Sequence, residues 1–161
     1  MLLCALIGLS DEALTQSADL SGTYVLSSLT QSDSSGTRLP TKMQVRKTTL
    51  RIVQDQALLQ MAYTSEYGTT SIRKYTLDGK ASENVDLAGV VSVDRIEAKG
   101  KIVVIHSDVK VTSGSLKGTP VHKTEKWELA ADLKTLTMRE QSEVQGMRMI
   151  DDLLTAVYIR Q

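Results

Sequence analysis

The chain has 161 residues, 19 Lys+Arg against 19 Asp+Glu, 41% apolar and 24% charged residues. One domain is the expectation at this length, and the charge balance argues against the basic excess that nucleic-acid binding needs. The single cysteine, Cys4, excludes an intramolecular disulfide and thiolate-rich zinc sites; without Phe, the core must be filled by Val, Ile, Leu, Met and a few Tyr.

Residues 1–20 stand apart. Leu2–Leu9 reads LLCALIGL, too short for a membrane span, which takes about 20 residues, but of the length of a signal-peptide apolar region. No basic residues precede it. Two accounts fit: residues 1–20 are a signal peptide whose true start lies further upstream, or a disordered N-terminal segment with a short apolar tail that packs somewhere. On the first account the mature protein is secreted or periplasmic, with cleavage near Ser17 or Ala18.

Residues 21–161 have one texture, short alternating apolar runs separated by turn signals, the pattern of a β meander. Thr23–Ser28 is the first expected strand, and the Ser- and Thr-rich stretch Ser27–Thr41 with Pro40 reads as a loop. Val45–Gln54 alternates Leu50 and Ile52 against Arg51 and Val53. After a turn at Asp55–Gln56, Leu59, Met61 and Tyr63 share one face. Tyr67–Gly68–Thr69 turns into Ile72–Leu77, which ends in Asp78–Gly79, a strong hairpin signal. Val85–Ile96 holds one or two strands. Lys99–Gly100 turns into Ile102–Val111, rich in β-branched residues. Gly114 and Gly118 bracket a loop before Pro120–Leu129. Asp132–Lys134 turns into Leu136–Glu143, Gly146 turns again, and Leu153–Arg160 ends the series. No segment after residue 20 has a helical period. Consecutive hairpins without long crossovers imply an all-β, antiparallel up-and-down β-barrel of about 8–10 strands, because closing a twisted sheet of that size removes its edges.

Ser21-Gly22-Thr23-Tyr24 resembles the S-G-T-W opening of small secreted bacterial lipocalin-like proteins. Tyr75-Thr76-Leu77-Asp78-Gly79-Lys80 is similar to their mid-chain hairpin. Trp127-Glu128-Leu129 with Asp132-Leu133-Lys134-Thr135-Leu136-Thr137 is similar to a later one. The resemblance spans Ser21–Gln161 and implies a single lipocalin-like, calycin-type barrel without assigned activity. It also implies that Tyr24 on the first strand is covered by Arg160 from the last, as a cation–π lid at one end. The chain departs from the pattern twice: Tyr24 stands for Trp, and Leu133 stands where a Gly is usual. A Leu there is expected to avoid positive φ and loosen the turn.

No catalytic, phosphate-binding or metal motif is present, so no cofactor and no metal is expected. His106 shares an alternation face with Ile102, Val104 and Asp108; it is either a polar group inside the cavity or a rim histidine. His122 falls with Thr124, Lys126 and Glu128 on a face that looks solvated. Trp127 is either a ligand-stacking wall or a core filler. Lys123 and Glu125 share its face, and Arg73 sits beside Tyr75 and Leu77. These charges either bind a polar head group near the barrel mouth, pair with each other inside, or mark a bulge. Arg46, Lys47, Arg51, Lys99 and Lys101 read as a solvated outer face, and Met147 and Met149 as core filling.

The leading expectation is non-enzymatic binding of a small apolar or amphipathic ligand. Its walls are Leu50, Ile52, Leu59, Met61, Tyr63, Tyr75, Leu77, Val104 and Trp127, and its polar contacts come from Tyr24, Arg73 or His106. The alternative is a packed barrel acting as a structural or protein-interaction module of the envelope, with no cavity above about 300 Å³. An enzyme would need His106 and Asp108 to meet a further polar group in a pocket. Oligomeric state is not legible.

Overall fold

The computed structural model describes residues 19–33, 37–39, 47–86, 88–112, 114, 117–144 and 153–161. Cys4, the Leu2–Leu9 run, Arg46, Gly146, Met147 and Met149 lie outside these. The strands are β1 (Gly22–Ser32), β2 (Arg38–Leu39), β3 (Thr49–Gln54), β4 (Leu58–Thr64), β5 (Thr70–Thr76), β6 (Ser82–Val85), β7 (Val91–Lys99), β8 (Ile102–Lys110), β9 (Pro120–Leu129), β10 (Thr135–Val144) and β11 (Leu153–Arg160). They form one antiparallel sheet in the order β5-β4-β3-β1-β11-β10-β9-β8-β7-β6, with β2 paired to the far end of β1. The first and last strands meet as Tyr24 opposite Arg160, so the meander wraps round and closes on itself. The expected barrel is present.

The ring is nearly complete. β5 and β6 are the two ends of the path, and side chains join them. Asn84 acts as a detached peptide group: its Oδ1 accepts from the Lys74 N–H at 2.8 Å and its Nδ2 donates to the Lys74 carbonyl at 3.0 Å. Beside it, the Thr76 N–H donates to Ser82 Oγ at 3.1 Å. The N–H and carbonyl of Lys74 and the N–H of Thr76, which a missing neighbour would leave unpaired, are satisfied in this way.

Two expectations are corrected. The stretch Ser27–Thr41 is not wholly loop: β1 runs on to Ser32. Its register shifts between Leu26 and Ser28, so Ser27 is the extra residue of a β-bulge. Leu26 and Leu29, three apart, both pack on the core, and a rule of strict alternation ends the strand there. The second correction is at the β9–β10 turn. Leu133 does adopt positive φ, at 56°, and the turn is tight. Asp132 holds it: Oδ1 accepts from the N–H groups of Lys134 and Thr135 at 2.8 and 2.9 Å, and Oδ2 from the Thr135 hydroxyl at 2.8 Å. These bonds, which also hold the Asp132 carboxyl below its usual pKa, offset the cost of a side chain in the left-handed region.

The core fills one end of the barrel. Leu20, Tyr24, Leu50, Ile52, Leu59, Leu129 and Leu136 are among its buried members. Arg160 caps this end. Its Nη2 donates to the Ser21 carbonyl at 2.6 Å and to the Tyr24 hydroxyl at 2.8 Å, while that hydroxyl donates to the Leu20 carbonyl at 2.9 Å. The guanidinium carbon lies 5.2 Å from the Tyr24 ring centre, the pairing that the calycin resemblance implies. Gly22 makes the approach possible, since a Cβ there would stand 2.9 Å from Arg160 Nε.

Candidate functional site

The other half of the interior is polar. On β9 the alternation that buries Trp127 and Leu129 also turns Glu125 and Lys123 inward, with no register shift against either neighbour. On β5 the same alternation turns Arg73 inward, beside Tyr75. The charges therefore pair inside the barrel. Arg73 Nη1 donates to Glu125 Oε1 at 2.8 Å; Lys123 Nζ lies 3.1 Å from the same oxygen and 2.8 Å from Glu140 Oε2. The indole Nε1 of Trp127 donates to Glu125 Oε2 at 3.1 Å. Glu125 and Glu140 stand directly opposite on β9 and β10, so Lys123 screens two carboxylates from each other.

Electrostatics follows from this packing. Burial pushes the Glu125 carboxyl up, but the Lys123 ammonium and the Arg73 guanidinium outweigh it and hold the group below its usual value of 4.5. Burial pulls the Lys123 ammonium down, and Glu125 and Glu140 more than reverse it. Desolvation, reinforced by the Glu125 charge, raises the phenols of Tyr63 and Tyr75, and pushes Tyr158 up to about 12. All three rings surround the cluster. Tyr63 and Tyr158 lie 6.5 and 5.9 Å from Trp127, and the Arg73 guanidinium lies 5.9 Å from the Tyr63 ring centre.

Beside the cluster is a cavity of about 260 Å³. Arg73, Lys123, Glu140, Asn84 and three serines, Ser92, Ser107 and Ser142, supply its polar lining, with Asp86 at the rim; Val90, Val109 and Val121 supply its apolar part. Behind the Asn84 wall lies Asp94, 1% exposed. Its Oδ2 accepts from Asn84 Nδ2 at 2.8 Å and from Ser92 Oγ at 3.1 Å. Its Oδ1 has no hydrogen-bond partner, and neither does the hydroxyl of Tyr75.

The sequence candidates divide accordingly. Tyr63, Arg73, Tyr75 and Trp127 meet around Glu125, and Met61 joins them by accepting from the Tyr63 hydroxyl at 3.6 Å. Of these, Arg73 lines the cavity. Tyr24 is at the opposite, capped end. Leu50, Ile52 and Leu59 are fully buried filler, and Leu77 packs on the same core from its edge. His106 and Val104 are corrected: both face outward. β8 is apolar on both faces, so its periodicity does not choose between them. Its pairing with β9 sets Val103 opposite Trp127 and Ile105 opposite Glu125, which turns Val103, Ile105 and Ser107 inward. His106 is exposed, 3.4 Å from Thr124 Oγ1, and His122 Nδ1 lies 2.6 Å from Asp108 Oδ1 on the same outer surface. Among the described residues no three His, Cys, Asp or Glu side chains converge as metal ligands.

Sequence reasoning missed Asn84, Asp94, Ser107 and Glu140. An acid in Val91–Ile96 on the alternation face of Ile96 was a usable signal for Asp94. Nothing local marks Asn84, whose role exists only across the seam.

No family model and no curated protein matches the sequence. Solved structures do match in fold. Zebrafish ileal bile acid-binding protein, complexed with cholic acid, is 14% identical with a TM-score of 0.61, over 88% of this chain and 98% of that one. Caenorhabditis elegans lipid binding protein 8 is 9% identical with a TM-score of 0.59, over 88% and 95%. The REP1-NXSQ fatty acid transporter is 14% identical with a TM-score of 0.56, over 88% and 96%. The fold is thereby defined: an all-β, antiparallel, nearly closed barrel, similar in fold to these three structures. Among the described residues no helix is long and apolar enough to cross a membrane.

Proposed function

We propose that this barrel binds, without catalysis, a small amphipathic molecule in its polar half. The observation that carries the reading is the cavity of about 260 Å³ set against an inward-facing network of four ionic side chains, Glu125 buried and Arg73, Lys123 and Glu140 partly so. Burying such a network gains little stability over an apolar core, and perturbed titratable groups around a cavity mark functional sites. The neighbours' names, bile acid-binding, lipid binding and fatty acid transporter, support binding in a barrel of this shape.

The cavity also limits the ligand. Pockets for drug-sized molecules run from about 300 Å³ upward, so a long acyl chain does not fit beside the filled apolar half. The same volume is what favours the second reading, a packed structural or interaction module.

Trp127 is the only tryptophan, and its indole donates to Glu125, so its emission reports on the cluster. Titration with small amphiphiles, together with native mass spectrometry, is expected to give a saturable change and a retained mass. No response across the panel leaves the packed module standing. Export to the envelope or beyond belongs to this proposal and is supported by the apolar Leu2–Leu9 run. Cell fractionation with mapping of the mature N-terminus tests it.

A further inference from the structure

We propose that the ligand carries a cationic head, a protonated amine, in place of the carboxylate of a fatty acid or of cholic acid. This rests on the cavity-binding reading above and adds the sign of the charge.

The argument is one of formal charge. Among the described residues, the cluster and cavity wall hold two cations, Arg73 and Lys123. Both are engaged: Arg73 on Glu125, Lys123 on Glu125 and Glu140. Against them stand Glu125, Glu140, Asp94 and, at the rim, Asp86. The carboxylates are in excess. A ligand carboxylate would add another anion where both cations are already paired, at low local dielectric.

Asp94 gives the excess a location. It is 1% exposed, yet its hydrogen-bond partners are neutral, the Asn84 amide and the Ser92 hydroxyl, and Oδ1 has none. Asn84, Ser92 and the cross-strand neighbour Ser107 all line the cavity. A buried carboxylate without a cationic partner is costly, and an ammonium held in the cavity on the far side of the Asn84 and Ser92 side chains offsets part of that cost through space. The ammonium sits between Glu140 and the wall formed by Asn84 and Ser92, with Asp94 behind that wall and the ligand's alkyl part against Val90, Val109 and Val121.

The test is isothermal titration calorimetry at neutral pH and low salt with three isosteric probes: hexylamine, hexan-1-ol and hexanoate. Hexylamine is expected to bind at least tenfold tighter than hexan-1-ol, and hexanoate more weakly than the alcohol. Asp94→Asn is expected to shrink the amine-to-alcohol ratio, each affinity measured in the same variant; Glu140→Gln is expected to do the same should the first variant fold poorly, and an unchanged ratio in both overturns the charge assignment. Hexanoate binding as tightly as hexylamine, or all three binding alike, overturns the charge assignment and leaves cavity binding intact. Binding of none of them overturns both.

Discussion

Glu125 accepts a hydrogen bond or ion pair from three side chains on two strands, Arg73 on β5 and Lys123 and Trp127 on β9. Removing its charge leaves Arg73 unpaired and half-buried, a change that typically costs about 3–5 kcal/mol for one partner of a buried pair. Glu125→Gln is therefore expected to lower stability by about 3 kcal/mol in urea denaturation. The pH dependence has a definite sign. Because the folded-state pKa of Glu125 is depressed below 4.5, its contribution is complete above the unfolded value and is lost as pH falls through the folded one. Wild-type stability should thus decline below about pH 4.5, and less steeply in Glu125→Gln; identical slopes would remove the cluster from the account. At the opposite end of the chain's conformational range stands Leu133, 48% exposed and at φ 56°. Since its side chain is not part of the core cluster, Leu133→Gly is expected to raise stability by about 0.5–1 kcal/mol, the left-handed strain relieved less the added chain entropy. Gly22 is the reverse case. A methyl at 2.9 Å from Arg160 Nε and 3.2 Å from the Tyr24 ring displaces the capping guanidinium. Gly22→Ala should cost about 1–3 kcal/mol, read as a lowered Tm.

At the scale of elements, the weak point is the β5–β6 seam. Every other neighbouring pair in the path is a backbone ladder, whereas this one hangs on Asn84 and Ser82. Replacing Asn84 by Ala removes both bonds to Lys74 and the one to Asp94. Hydrogen exchange is expected to accelerate at the Lys74 and Thr76 amides, which face the seam, before it changes at Ala62 or Met138 in the body of the sheet. Uniform acceleration would mean that the seam is not a separate unit. Elements also explain what the sequence could and could not show. Strands with one polar face, such as β3 and β4, had their inward residues legible, because one alternation set was apolar and the other not. β8 was not legible in this way. Ile102 and Val104 are as apolar as Val103 and Ile105, and only the tertiary pairing with the Trp127 face decides between them. β1 was cut short because one inserted residue, Ser27, inverts the parity of everything after it.

For the molecule as a whole, the barrel was legible because turn signals recur along the chain and successive strands join without long crossovers, which leaves closure as the way to protect the edges. The site was legible only in part. Arg73, Lys123 and Glu125 broke the apolar alternation and so marked themselves, but which of them met was a matter of three-dimensional closure, as was the role of Asn84. The division of the interior into a filled apolar end and a charged end has a collective signature. Tyr63, Tyr75 and Tyr158 all carry raised phenol pKa values, from burial first and the Glu125 charge second. In an absorbance titration these three should stay un-ionised through pH 10 and ionise only with alkaline unfolding, since raised groups contribute stability below their unfolded pKa and lose it above.

The most direct measurement is a proton–nitrogen NMR spectrum of the Lys123 ammonium and Arg73 guanidinium groups in the folded protein at mildly acidic pH. Enclosed and paired as described, both give sharp, slowly exchanging signals that move together on ligand addition and broaden in Glu125→Gln. Signals exchanging as fast as that of exposed Lys80 would contradict it: the charges would then face water, and the barrel would hold no charged interior.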